Sequence, residues 1–374
     1  MPEDENKKND KAQDENKAAS TIQKIVREHV KESRHKSEID SPQARGYLEQ
    51  LKGESAGQSS DVGAASRNLV HEVSKIGDDE KKVSVLKRIV QETKSNPDAH
   101  EIILKQSVDA LKHLPYKDKL NFINFCVHED GKQELYSQEH TDNSKQRQRN
   151  LDLYEKFLDF DAEDIEPGKN ILLVGGGDSK IQADLPQQNV TNYDMKKDDG
   201  DKSVAKEHVE GNFTKELDAS VKGKQDEIWC MFSLPMYSES TTQIKDFFTN
   251  AVGSAKDGAN IRIFPVEHYG ESTSKNASYA LISDELKEFE GAALSVIEEN
   301  KELFEVKRHE QKVDKSFSKK KGQGITITVK DAEKAEGFLK ESLGQLEERF
   351  LEEHREPKQP KTTPPAEITF TPFR

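Results

Sequence analysis

Residues Ile171-Leu172-Leu173-Val174 run without a break into Gly175-Gly176-Gly177. A short apolar run that ends in glycines reads as a buried strand opening onto a tight turn. Glycine carries no Cβ, so the backbone of that turn can take left-handed angles and come very close to another group. A second strand is expected over 189–193, and Asp194 stands where it would end.

A glycine turn, a helix and then an acid at the next strand end is the order in which a doubly wound α/β sheet holds a nucleoside-bearing cofactor. The rest of the pattern fits such a sheet. Strands are expected at 170–175, 189–193, 207–210, 226–232 and 260–265. Asp226-Glu227-Ile228-Trp229-Cys230-Met231-Phe232 is the most apolar of these and is expected at the centre. Leu151–Phe160 reads as an amphipathic helix beside the first strand, with further helices at Ser240–Ala255 and Ser283–Asn300. Two β segments, 303–309 and 324–329, flank a polar tip with Lys319-Lys320-Lys321-Gly322 and read as a hairpin. The expected fold class is α/β: a doubly wound, mostly parallel sheet ending in an antiparallel hairpin strand, preceded by a small α-helical region.

Composition sets the limits around this domain. With 34% charged and 32% hydrophobic residues, 374 residues cannot be packed core throughout. The expected organisation is a disordered 1–17, a helical segment and extension over 18–50, and a linker over 51–63. A helical domain or cap then covers 64–150 and the α/β domain 151–330, followed by a helix over 331–355 and a proline-rich tail over 356–374. A net charge of -14 disfavours nonspecific binding to nucleic acid or anionic membrane. Cys126 and Cys230 stand in apolar contexts and suggest neither a disulfide framework nor a metal site. That is the usage of a reducing compartment, so a cytoplasmic location is expected. No apolar run is long enough to span a bilayer, and the charged first residues lack the apolar core of a signal peptide.

Over roughly residues 150–330 the pattern resembles the class I S-adenosylmethionine-dependent methyltransferases. The resemblance rests on the glycine loop after strand one, the acid ending strand two and Gly211-Asn212-Phe213 after strand three. It rests equally on the apolar fourth strand running into Ser233-Leu234-Pro235-Met236-Tyr237 and on the helix–hairpin finish. The glycine loop is also similar to that of spermidine-synthase-type aminopropyltransferases, although no aspartate pair ends strand four. Ser179 and Lys180 stand where the family usually carries another glycine, and Leu173 where it usually carries an acid.

The resemblance implies S-adenosylmethionine as cofactor and methyl transfer to an acceptor that the sequence does not name. It assigns Gly175, Gly176, Gly177 and Asp178 to the cofactor loop, with the glycines at the cofactor's amino-acid end. Asp194 is assigned to the ribose, Asn212 to the adenine edge and Phe213 to the adenine face. Ser233 and Tyr237 would face the acceptor, with Glu267 or His268 as base. Two other readings stay open. One is a methyltransferase-like scaffold that binds proteins without catalysis. The other is a nicotinamide-dependent enzyme, for which Gly175 and Gly177 fit but Lys180 occupies the third glycine position.

Ala18-Ala19-Ser20-Thr21-Ile22-Gln23-Lys24-Ile25-Val26-Arg27 resembles the first half of an IQ motif, the helix gripped by calmodulin and related light chains. Ile22 would be the apolar anchor, Gln23 the backbone-bonding amide and Arg27 the basic residue one turn on. Glu28 and Glu32 depart from the pattern, and an amphipathic helix docked on the protein's own body is the alternative. Glu347-Glu348-Arg349-Phe350-Leu351-Glu352-Glu353 with its tail resembles the glutamate-rich export signals of bacterial type IV secreted effectors. Together the two ends would suit an effector delivered into a host-cell cytoplasm.

Overall fold

Ile171, Leu172 and Leu173 are fully buried, as residues of a strand covered on both faces must be. They belong to β1 (Asn170–Val174), which lies inside a seven-stranded sheet. The computed structural model describes residues 39–52, 59–128, 150–177, 179–195, 204–267, 281–312 and 321–355. The other strands are β2 (Asn189–Asp194), β3 (Glu207–Glu210), β4 (Gln225–Met231), β5 (Ala255–Phe264), β6 (Phe304–Lys312) and β7 (Lys321–Val329). Their order is β3-β2-β1-β4-β5-β7-β6. The pairs from β3 through β5 are parallel, while β7 runs antiparallel to both β5 and β6. This is the expected fold class. The order reverses between β1 and β4, which makes their carboxyl ends the switch point of the sheet.

The fifth strand starts earlier than the sequence suggests, at Ala255 rather than 260. Pairing jumps from Gln225↔Ala255 to Glu227↔Asn260. The intervening Asp257-Gly258 bulges, and Gly258 takes a φ of +80°. A polar, glycine-bearing segment looks like a turn in sequence, yet a bulge lets the strand continue through it.

The chain divides into two compact units between Lys112 and His113. The first contains helices α1 (Pro42–Lys52), α2 (Ser59–Ser74), α3 (Asp79–Glu92) and α4 (Pro97–Leu111). Their apolar residues recur at helical spacing and bury Leu51, Leu69, Leu86, Ile89 and Ile103. Each such side chain contributes about 1.5–3 kcal/mol at most. The caps follow the sequence: Asp78 accepts from the Lys81 N–H, and Asn96, just ahead of Pro97, accepts from the Ala99 N–H. Helix α2 begins at Ser59, inside the stretch read as linker.

Helix α5 (Tyr116–His128) belongs to the second unit. The reason is in its side chains. Tyr116 Oη accepts the Thr241 N–H at 3.1 Å, and Lys119 Nζ pairs with Glu285 at 2.9 Å with both side chains almost fully buried. Apolar periodicity alone does not show which neighbour a helix docks on.

Helix α6 (Leu151–Leu158), capped by Asn150, lays Tyr154, Phe157 and Leu158 against Trp229, Met231 and Phe264. The Phe157 and Phe264 rings stack at 4.8 Å and Tyr154 meets Trp229 at 5.6 Å. After β1 comes only a four-residue helix, α7 (Ile181–Asp184). The remaining helices are α8 (Thr241–Ser254), α9 (Ser283–Glu299) and α10 (Ala332–Glu353). Among the described residues no helix is long and apolar enough to cross a membrane.

Candidate functional site

Side chains alternate along a strand, so Asn192 and Asp194 project from the same face of β2. Leu173 pairs with Asn192 and Val174 with Tyr193, which brings Asp194 level with the start of the glycine bend. The bend closes on these two residues. The Gly176 N–H donates to Asn192 Oδ1 at 3.2 Å and the Gly177 N–H to Asp194 Oδ2 at 3.1 Å. The Gly175 N–H donates to the Tyr193 carbonyl at 2.8 Å. The bend and the acid, predicted to share one site, are thus in direct contact.

Two of the glycines are required by different forces. Gly175 has a φ of +67°, and a Cβ there would lie 2.9 Å from Ser233 Cβ. A Cβ on Gly176 would lie 2.7 Å from Asn192 Oδ1. Asn192, which is not among the expected site residues, is 2% exposed and locks the bend. Its signal was present: an amide two residues before the expected acid, in a strand otherwise buried.

The chain leaves β4 through Phe232, a non-glycine residue at φ +49°. Left-handed backbone at a non-glycine residue costs about 1–3 kcal/mol and persists only where surroundings impose it. Here the Phe232 N–H donates to the Phe264 carbonyl at 2.7 Å, and its ring packs on Phe157 and Phe264. Beyond this turn Ser233 lies against Gly175. Ser233 Oγ and Ser179 Oγ are both buried with no hydrogen-bond partner among the described residues. The crowding at Gly175 and Gly176 comes from the protein's own packing, and the feature that fits a small polar ligand group is the pair of orphaned buried hydroxyls at the switch point.

Other expected site residues are engaged in contacts within the fold. Phe213 is 3% exposed, packed edge-on to Tyr193 at 5.1 Å and close to Phe247, so its ring packs in the core. Asn212 turns its Oδ1 onto the Thr214 N–H and hydroxyl at 2.9 and 2.7 Å, a local turn that engages the carbonyl end of the amide. Glu267 is engaged by residues of α9 and β6. Its N–H donates to Glu290 at 2.7 Å, and its carboxylate lies 3.7 Å from Arg308 on β6, the far edge of the sheet. Tyr237 is half-buried in the loop after β4. Asp178, His268 and the IQ-like residues Ile22, Gln23 and Arg27 lie outside the described residues.

The opposite, amino-terminal end of the sheet carries a different feature. A cleft of about 480 Å³ is lined by Asp159, Asp161, Asp164, Glu166, Asp257 and neighbours. Its floor is a closed polar network: Glu227 accepts from Arg262 at 2.9 Å, Asn260 at 2.7 Å and the Trp229 indole at 3.1 Å. Ligands of open α/β sheets sit at the carboxyl ends of the strands, so this cleft is at the wrong end for a cofactor.

No protein-family model matches the sequence, and no curated protein matches it. Solved structures give distant likenesses to methyltransferase folds. A SAM-dependent methyltransferase from Methanosarcina mazei is 13% identical, with 45% of this chain and 96% of that one covered at a TM-score of 0.32. The 16S rRNA (adenine(1408)-N(1))-methyltransferase from Catenulisporales acidiphilia is 15% identical, with 44% and 88% covered at a TM-score of 0.27. The CMeT domain of the citrinin polyketide synthase is 10% identical, with 71% and 65% covered at a TM-score of 0.27. Values this low fix no activity, ligand or partner for the chain.

Proposed function

We propose that the chain binds S-adenosylmethionine at the carboxyl ends of β1 and β4 and acts as a methyltransferase. The observation that carries this is the glycine bend held by Asn192 and Asp194 at the switch point. Asp194 is the residue to accept hydrogen bonds from the ribose hydroxyls, and the glycines let the backbone approach the cofactor. Bound there, the cofactor supplies a sulfonium methyl for in-line displacement, so the chain's task is mostly positioning. His268 remains the candidate base, because Glu267 is engaged with Arg308.

One feature argues for an adenosyl cofactor over a nicotinamide dinucleotide. A dinucleotide sets its pyrophosphate on the amino terminus of the helix after β1. Helix α7 has four residues, too short to present an aligned dipole and a row of N–H donors. S-adenosylmethionine carries no phosphate.

A second reading, an inactive scaffold that binds proteins, is favoured by the structural duties of Asn212, Phe213 and Glu267. Titration calorimetry with S-adenosylmethionine, S-adenosylhomocysteine and NAD separates these readings. The enzyme reading expects heat with the first two and none with NAD, and loss of that heat in Asp194→Ala. Heat with NAD alone overturns it, and no heat with any of the three leaves the scaffold. The IQ-like segment carries its own proposal, capture by calmodulin. A pull-down that works with the wild type and fails with Ile22→Ala supports it, and no capture of the wild type refutes it.

A further inference from the structure

The bend's own N–H groups are already engaged inside the protein, on the Tyr193 carbonyl, Asn192 Oδ1 and Asp194 Oδ2. A cofactor with an amino-acid end brings a carboxylate that needs donors once it leaves water. Two side chains at the bend can supply them. Ser233 is 6% exposed and Ser179 is 1% exposed, and neither hydroxyl has a partner among the described residues. Ser233 Oγ lies 3.7 Å from the position of a Cβ on Gly175. The Ser179 N–H donates to the Gly176 carbonyl at 3.4 Å, which closes the bend on its other side. Folded proteins rarely bury a hydroxyl without a partner, and such a group needs a reason.

We propose that the hydroxyls of Ser233 and Ser179, and not the glycine amides, donate hydrogen bonds to the carboxylate at the cofactor's amino-acid end. The proposal rests on the adenosyl reading above. It moves Ser233 from the acceptor to the cofactor. It also gives Ser179 a function at a position where a glycine is expected.

The test compares two ligands on the full-length chain by titration calorimetry: S-adenosylhomocysteine, and methylthioadenosine, which has the same adenosyl thioether but no amino-acid end. Ser233→Ala and Ser179→Ala are each expected to weaken S-adenosylhomocysteine about tenfold or more and to leave methylthioadenosine unchanged, because a hydrogen bond to a charged group is lost. Their melting temperatures without ligand are expected to stay level or rise, since a buried hydroxyl lacking a partner is removed. Asp194→Asn is expected to weaken both ligands. If both ligands bind and Asp194→Asn weakens them, but the serine variants keep S-adenosylhomocysteine, the serine assignment alone fails. Equal loss of both ligands with a fall in melting temperature marks a structural role and also overturns it. A wild type that binds neither ligand sinks the adenosyl reading and this one with it.

Discussion

Gly176 and Gly177 are neighbours in the chain and glycine for different reasons. A methyl on Gly176 meets Asn192 Oδ1 at 2.7 Å and Leu173 Cβ at 3.0 Å, whereas one on Gly177 meets nothing within 4 Å. Gly176→Ala therefore overpacks the bend and is expected to destabilise by about 1–3 kcal/mol. Gly177→Ala faces only its φ of +57°, a strain of about 1–2 kcal/mol. Urea denaturation measures both, and the adenosyl reading adds that only Gly176→Ala also pushes apart the bend and Asn192. Phe213 is decided at the same scale. As a core ring between Tyr193 and Phe247, its replacement by Ala is expected to cost about 3–5 kcal/mol. A variant of unchanged stability but weakened cofactor binding would restore it to the site.

At the scale of elements, α5 is the informative case. Its docking depends on a buried ion pair, Lys119–Glu285, whose desolvation is offset only while both charges are present. Lys119→Met is expected to destabilise by about 3–5 kcal/mol, and Lys119→Met with Glu285→Leu to recover most of it, as read by urea midpoints. Equal losses in the single and double variants would contradict this account. The same helix shows what the sequence could and could not reveal. The strands were legible because an apolar run such as Ile171–Val174 is too short for a helix and is bounded by glycines, which marks it as a buried strand. The bend and Asp194 were legible because turn chemistry is local. The partners of α5, the bulge at Gly258 and the fates of Phe213 and Glu267 were not. Each depends on which distant residue a side chain meets: Thr241 for Tyr116, Phe247 for Phe213, Arg308 for Glu267. Asn192 could have been found from its spacing to Asp194, but only once a strand with that face toward the bend was assumed.

For the whole molecule, the two units differ in how acid reaches them. Burial pushes the His100 imidazole below its ordinary value, while its ring nitrogen meets the Val90 carbonyl. The unfolded chain then takes up the proton first, so this stability is full above about pH 6.5 and declines below it. In the second unit burial pushes the Asp226 carboxyl up, but the Asn170 amide and Lys256 outweigh it and hold the carboxyl below its usual range. That contribution is present above about pH 4 and is lost as pH falls through the lowered value. The helical unit is therefore expected to weaken first on acidification, with the upper part of the loss absent in His100→Gln. Urea midpoints from about pH 7.5 to about pH 5 test it, and a flat wild-type profile over that window contradicts it.

The claim on which the functional account turns is a place: one adenosyl cofactor laid on the glycine bend with its ribose on Asp194. The structure of the protein crystallised with S-adenosylhomocysteine reads that place directly. The account predicts density at the carboxyl ends of β1 and β4, with the ribose hydroxyls on Asp194 and the amino-acid carboxylate on Ser233 and Ser179. Ligand density in the acidic cleft at the other end of the sheet, or a ribose away from Asp194, would contradict it.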